Sequence, residues 1–164
     1  MSTLDTQIYS SPGLLSTSSR SSNEEMANLL RGEEARLTLP ITWQRKWAVI
    51  DSVIDVFRKH HNPNWDGYGA VPLSESACKE AASFLKKLPL SVPNPDVIRN
   101  PDGDISLEWY LRKRLLFVVT FSGRGIISYA GLFGKRTKIH GTEVFSESIP
   151  SSVLESLCRL LSQG

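Results

Sequence analysis

The chain has 164 residues, of which 40% are apolar and 22% charged, and its formal net charge is +2. This length supports one domain with a substantial core, and the composition is that of a globular protein. No apolar run approaches the ~20 residues that span a bilayer, and the N-terminus lacks the basic start and apolar core of a secretory signal. We therefore expect a cytoplasmic protein with no membrane partner.

The first 38 residues differ in composition from the rest of the chain. Serine, threonine, proline and glycine crowd positions 10–22, and such a segment cannot bury enough apolar surface to offset its ordering entropy. We predict a mobile Ser-rich tail over residues 1–38, whose composition at 23–31 also favours a short helix. The alternative is a segment that docks on a partner. A single α+β domain is predicted over residues 39–164.

Apolar spacing predicts a first helix that ends before Pro63, with Thr42 as its N-cap. Its apolar stripe recurs every three or four residues, as in a helix packed on a core. The stripe consists of Trp43, Trp47, Ile50, Ile54 and Phe57.

Two further helices are predicted, one after the N-cap Ser74 and one after Pro150. Cys78 and Cys158 lie among apolar residues of these helices. Neither has a second cysteine or a histidine at a metal-binding interval, so we expect two buried, reduced thiols.

Between the second and third helices the pattern is that of strands. Residues 104–111 alternate apolar and polar, residues 115–121 and 126–133 are largely apolar, and weaker segments lie at 96–99 and 138–145. The connections are too short for parallel crossovers. The predicted fold class is α+β: a four- to five-stranded antiparallel meander sheet with helices packed on one face, in the order ααβββββα.

The loop between the first two helices is the most distinctive segment. It reads Asn64-Trp65-Asp66-Gly67-Tyr68-Gly69-Ala70 and combines glycines with side chains that bond to nearby backbone. Because Trp and Tyr are favoured interface anchors, we predict Trp65, Asp66 and Tyr68 as partner contacts. The alternative is that both aromatics fold inward and brace the helix junction.

Two residues of the alternating strand extend this prediction. Glu108 and Tyr110 fall on the side opposite the apolar positions, where they would face away from the helices. We predict that they contact a partner on an open recognition face. The alternative for Glu108 is an ordinary solvated strand residue.

Basic residues concentrate in two turns. In a meander, alternate turns lie at one end of the sheet, so these residues should gather there, with Asp102 and Gly123 at the other end. They could grip nucleic-acid phosphates, or they could be solvated hairpin residues that keep the sheet soluble. The basic residues are Arg112, Lys113, Arg114, Lys135, Arg136 and Lys138.

No catalytic set emerges from the sequence. It contains neither a nucleophile elbow nor a phosphate-binding loop, and a metal site from His60 or His61, Asp66 and His140 is disfavoured because adjacent helical histidines diverge. We expect no catalytic residue, no metal and no cofactor. The remaining enzymatic alternative is a hydrolase or nuclease of unknown type using Asp66, Glu108 and one histidine.

The loop at 64–70, together with Pro101-Asp102-Gly103 and Leu107-Glu108-Trp109, resembles a family of small uncharacterised bacterial proteins of mobile or accessory genes. The resemblance covers residues from about 40 to the C-terminus and brings no established activity. An accessory-gene context implies an antitoxin, an immunity protein or an inhibitor of a defence system.

The function predicted is therefore a non-enzymatic protein-binding module of this kind. The first alternative is a nucleic-acid-binding protein that uses the two basic turns at 112–114 and 135–138. A non-enzymatic function is favoured over the second alternative, a hydrolase or nuclease of unknown type.

Overall fold

The computed structural model describes residues 32, 36 and 38–164. The chain divides into two units, Met1–Thr38 and Leu39–Gly164, and every element below belongs to the second. The expected tail at 1–38 and its short helix at 23–31 fall almost entirely outside the described residues.

Three helices and five strands make up residues 39–164, in the predicted order. The helices are α1 (Ile41–His60), α2 (Glu75–Lys87) and α3 (Ser151–Leu161). The strands are β1 (Asp96–Arg99), β2 (Ile105–Arg112), β3 (Leu115–Phe121), β4 (Ile126–Phe133) and β5 (Thr137–Val144).

The sheet is an antiparallel meander. Its strands lie in the order β1-β2-β3-β4-β5, and every neighbouring pair is antiparallel. The register of β2 with β3 slips once, at a bulge between Tyr110 and Arg112, and the pairing resumes with Arg112 opposite Leu115. The predicted α+β meander is confirmed, and the sheet is not closed into a barrel.

All three helices pack on one face of the sheet, where they form a single core with its odd-numbered residues. Ile50 and Val53 of α1, Phe84 of α2 and Leu157 of α3 are buried in this core. Phe84 meets the ring of Phe121 edge to face, at a centroid distance of 5.3 Å. The core therefore ties helices and sheet into one body.

The other side of the sheet, here named the open face, carries its even-numbered residues. No helix among residues 38–164 packs against it. Its members are Asp96, Ile98, Ser106, Glu108, Tyr110, Leu116, Val118, Thr120, Ile126, Ser128, Ala130, Leu132, Lys138, His140, Thr142 and Val144.

Helix α1 departs from its predicted stripe. Lys46 is buried, with 5% of its surface exposed, while Trp43 and Ile54 are exposed at the margins. The Lys46 ammonium donates to the Leu88 carbonyl, which allows its burial, and desolvation lowers the pKa of Lys46. Helix α1 therefore faces its neighbours through a strip shifted from the one that apolar spacing indicates.

Helix ends are partly as predicted. Ser74 caps α2, its hydroxyl accepting from the Ala77 amide at 3.2 Å. The prediction of Thr42 as the N-cap of α1 is wrong, because the helix begins at Ile41 after Pro40 with no side-chain cap. Proline already fixes a backbone angle suited to helix entry.

Candidate functional site

The loop at 64–70 is held in shape by its own side chains. Asp66 Oδ1 accepts the amides of Tyr68 at 2.8 Å and Ala70 at 3.1 Å, and Asn64 Oδ1 accepts that of Gly69 at 2.7 Å. The Tyr68 amide, then the Ala70 amide, lower the pKa of Asp66. Asp66 therefore fixes the loop, and its Oδ1 is occupied within it.

Backbone bonds anchor the same segment to the rest of the domain. The Val71 amide donates to Pro101 O at 2.8 Å, and the Ser74 amide donates to Gly103 O at 2.8 Å. Gly103 has a φ of +89° and lies against Pro72, where an added Cβ would meet Pro72 O at 2.8 Å. The loop is thus seated on the β1–β2 turn.

Trp65 packs inward, while Tyr68 does not. The Trp65 ring lies between His60, at a centroid distance of 4.9 Å with edge-to-face geometry, and the Arg99 guanidinium, at 4.7 Å. Its indole N–H donates to Val71 O at 3.2 Å. Tyr68, in contrast, is 95% exposed. The structure thus places the Trp65 ring against the helix end and β1, and leaves the Tyr68 side chain exposed.

Arg99 is the member of this group that sequence reasoning missed. It occupies a helix-facing position of β1, paired in register with buried Ile105, where an apolar residue would be expected. The Arg99 side chain is exposed, and its guanidinium lies over the Trp65 ring in a cation–π contact. The signal in the sequence was an arginine on the apolar side of a strand.

Glu108 and Tyr110 lie on the open face of β2, away from the loop. Tyr110 is 56% exposed, and Glu108 is half-buried between its cross-strand neighbours Asp96 and Val118. The loop contacts the Gly103 end of β2, whereas Tyr110 is near its Arg112 end. The five predicted contacts therefore divide between two surfaces.

The two basic turns lie side by side, as the meander predicts. The Gly134 amide donates to Arg114 O at 2.8 Å, which joins the β2–β3 turn to the β4–β5 turn. A surface depression of about 500 Å³ opens between them, and Arg112 Nη2 donates to Gln163 O at 2.8 Å beside it. Its lining includes Arg112, Lys113, Arg114 and Lys135.

The remaining two basic residues are near the same end. Arg136 is exposed in the β4–β5 turn, and Lys138 is on the open face of β5. Asp102 and Gly123 belong to turns at the opposite end of the sheet. The predicted gathering of basic turns is confirmed, and what they bind remains a prediction.

The candidates for catalysis do not meet. Asp66 is in the loop, Glu108 is on β2, and His140 is on β5, three strands away from β2. His60 contacts Trp65 through its ring, and its Nδ1 lies 2.8 Å from Val56 O. Over residues 38–164, no three His, Cys, Asp or Glu side chains are grouped so as to hold a metal ion.

Comparisons with known proteins leave the family resemblance as an expectation. No protein-family model, curated protein sequence or solved structure matches this chain. None of the helices in the described part of the chain has both the length and the apolarity to cross a bilayer.

Proposed function

We propose that this protein is a non-enzymatic protein-binding module that presents the loop at 64–70 to its partner. The observation that carries the proposal is the 95% exposure of Tyr68 at the tip of a loop whose backbone is fixed by Asp66 and Asn64. Exposed aromatics are frequent interface hot spots, and a preformed loop loses little entropy on binding.

The narrower form of the proposal rests on the resemblance to accessory-gene proteins. It favours an antitoxin, an immunity protein or an inhibitor of a bacterial defence system, acting on a cytoplasmic protein. This class suits a rigid aromatic anchor, because inhibitors bind through preorganised surfaces.

Affinity capture from the native host with mass spectrometry tests the proposal. Tyr68→Ala should reduce recovery of the partner about tenfold or more while leaving the melting temperature unchanged. Leu90→Ala, which truncates an exposed apolar side chain elsewhere, is the matched control and should keep full recovery. Equal recovery with Tyr68→Ala and wild type would contradict the proposal.

Comparison of Trp65→Ala with Tyr68→Ala distinguishes a binding role of the loop from a structural one. Trp65→Ala removes the ring that contacts His60 and Arg99, so it should lower the melting temperature. If Tyr68→Ala lowered it equally, the loop would be a structural element and not an anchor.

Nucleic-acid binding through the basic turns is the second candidate function. The hydrogen bond from Gly134 to Arg114 and the depression lined by four cationic side chains favour it. Clustered Lys and Arg side chains neutralise phosphates, and the resulting affinity falls steeply with salt.

Fluorescence anisotropy with labelled DNA and RNA at two salt concentrations tests this second candidate. Lys113→Glu with Lys135→Glu should abolish low-salt binding, whereas Arg58→Glu with Lys59→Glu, an equal charge change on α1, should preserve it. Absence of binding to either nucleic acid at low salt would remove this candidate.

A further inference from the structure

The open face is apolar at its centre, although a solvated sheet face ordinarily carries polar side chains. On the two central strands β3 and β4 its residues include Leu116, Val118, Ala130 and Leu132. Tyr110 extends this patch at 56% exposure. An apolar surface patch of this kind is typical of a surface that is buried in an interface with another molecule.

The edges of the open face carry opposite charges. One row across the sheet runs from Asp96 and Glu108 on β1 and β2, through Val118 and Ala130, to His140 on β5. Lys138 lies beside His140 on the same strand and face. One edge is therefore acidic and the other basic.

We propose that the open face binds the open face of a second copy of this protein, about a two-fold axis parallel to β3. Such an axis reverses each row, so that Asp96 faces His140 of the partner subunit, with the partner's Lys138 beside it. Central Leu116 and Val118 then face their own equivalents. The acidic edge thus meets the partner's basic edge, and the apolar centre meets its own equivalent.

The charges at the two edges favour this axis over a two-fold axis perpendicular to the strands, which would also stack the two open faces. A two-fold axis across the strands would place β1 and β2 on their own equivalents and β5 on its own, which sets the acidic edge against the partner's acidic edge and the basic edge against the partner's basic edge. Like charges facing each other cost several kcal/mol in an interface, so that arrangement is disfavoured.

The size of the face suits a dimer of modest affinity. Five strands at ~4.8 Å spacing and about six residues at ~3.4 Å give a flat footprint near 480 Å². Side chains make the accessible area larger than the footprint, which brings it toward the ~800 Å² per partner of a stable interface. Two sheets stacked with nearly aligned strands are also a common packing geometry.

The first test is sedimentation velocity at protein concentrations from about 1 to 200 µM. We expect the fraction of dimer to rise with concentration over this range. Ala130 is exposed and faces Glu108 of the partner in the proposed dimer. Ala130→Glu should weaken the dimer at least about tenfold, while Ala130→Lys, the matched control, should preserve or strengthen it. A monomer at all concentrations, or equal effects of the two variants, would overturn the proposal.

Charge exchange tests the orientation. Asp96→Lys alone sets like charges against each other at both edges of a homodimer, as does Lys138→Glu with His140→Glu. Mixed together, the two variants restore opposite charges at both edges, so they should form a heterodimer while each alone stays monomeric. Failure of the mixture to associate would overturn the two-fold axis parallel to β3.

Photocrosslinking identifies what covers the face. Benzoylphenylalanine at Ala130 in a mixture of light and heavy protein should crosslink to β2 of the other copy. A crosslink formed only within one chain, to residues 1–38, or only to another protein in host cells, would overturn the proposal. These outcomes do not depend on Tyr68, so they leave the proposed function of the loop to its own test.

Discussion

One carboxylate sets the shape of the candidate binding loop. Asp66 Oδ1 accepts two backbone amides within four residues, and Gly67 and Gly69, with φ of +78° and +92°, supply backbone angles that other residues avoid. The Tyr68 ring projects because the chain on both sides of it is already bonded. A substitution at Asp66 should therefore change the conformation of the loop more than the packing of the core.

The Asp66 bonds give the loop a pH dependence. Because hydrogen bonds lower its pKa, the ionised form stabilises the folded loop above the ordinary Asp pKa of about 3.9. This stabilisation is lost as the pH falls through the lower folded-state pKa. Amide proton shifts of Tyr68 and Ala70, followed by NMR from neutral to acid pH, should titrate with a midpoint below that ordinary value.

Substitution at Asp66 provides the control for this titration. Asp66→Asn keeps one oxygen acceptor without the charge, so it should retain part of the stabilisation and lose its pH dependence, whereas Asp66→Ala should lower the melting temperature at neutral pH. At a pH below the folded-state pKa of Asp66, the difference in melting temperature between wild type and Asp66→Ala should narrow. A Tyr68 amide shift that does not change in Asp66→Ala would contradict the assigned bonds.

The two cysteines differ in exposure. Cys78 is buried in α2, and burial raises its pKa to about 11, whereas Cys158 is exposed on α3. The expectation of two buried thiols is therefore wrong for Cys158. The apolar stripe of α3 runs through Val153, Leu157 and Leu160, and Cys158 falls beside it.

Thiol labelling measures this difference. A thiol-specific reagent should modify Cys158 in the folded protein and reach Cys78 only on unfolding, because the thiolate is the reactive form. Cys158→Ser should therefore remove native-state labelling. Rapid labelling of Cys78 in folded Cys158→Ser would show that α2 is less protected than its packing indicates.

At the scale of elements, α2 packs against the β3–β4 turn and hydrogen-bonds to it. The Glu80 carboxylate accepts the amides of Gly123 at 2.9 Å and Gly125 at 2.5 Å. Gly123 also sits against the first turn of α2, where an added Cβ would be 2.6 Å from Ser76 Cβ and 2.8 Å from the Ala77 nitrogen. This turn is therefore shaped by the helix packed on it.

Gly123 and Gly134 form a matched pair that separates backbone strain from crowding. Both have positive φ, +78° and +82°, but an added Cβ at Gly134 meets nothing within 4 Å. Gly134→Ala should cost about 1 to 2 kcal/mol of unfolding free energy, from backbone strain alone. Gly123→Ala should cost about 1 to 3 kcal/mol more, because the added methyl overpacks the site.

Urea denaturation of both variants gives these free energies. The prediction depends on the difference between the variants, so a common effect of alanine in turns cancels. Equal losses at the two sites would mean that α2 moves away from the turn at no cost.

The sequence predicted the bounds of the strands more completely than it predicted the buried faces of the helices. β3 and β4 have the predicted bounds, and β1 is the short segment foreseen at 96–99, because alternation and turn residues mark strand ends well. Helix α1 was predicted as an element, but its buried strip was not. Burial of Lys46 depends on the Leu88 carbonyl, 42 positions away, which periodicity cannot show.

The candidate surfaces were predictable to different degrees. The shared end of the basic turns followed from topology alone, since alternate turns of a meander lie at one end. The different positions of the two aromatic side chains, Trp65 packed and Tyr68 exposed, did not, because the Trp65 contacts depend on His60 and Arg99. The apolar centre of the open face was latent in the apolar run at 115–121, and became visible once all three helices were on the other face.

At the scale of the whole molecule, the meander separates three surfaces. The loop with Tyr68 is seated at the β1–β2 turn, the basic turns are at the opposite end of the sheet, and the open face lies between them. The helices and the other face of the sheet share one core. Perturbing that core at any element should therefore destabilise residues 39–164 as a unit.

Leu157→Ala tests this unity from the last helix. Leu157 is fully buried in α3, so its truncation should cost about 2 to 5 kcal/mol of unfolding free energy. The four tryptophans lie outside α3, two on α1, one in the loop at 64–70 and one, Trp109, on β2, where its indole N–H donates to Pro93 O at 2.8 Å, so their fluorescence reports on the rest of the domain. Tryptophan fluorescence and far-ultraviolet circular dichroism should therefore shift together in urea, while Glu155→Ala on the exposed side of α3 changes neither. Separate transitions in Leu157→Ala would mean that α3 unfolds independently of the sheet, in conflict with a single cooperative core.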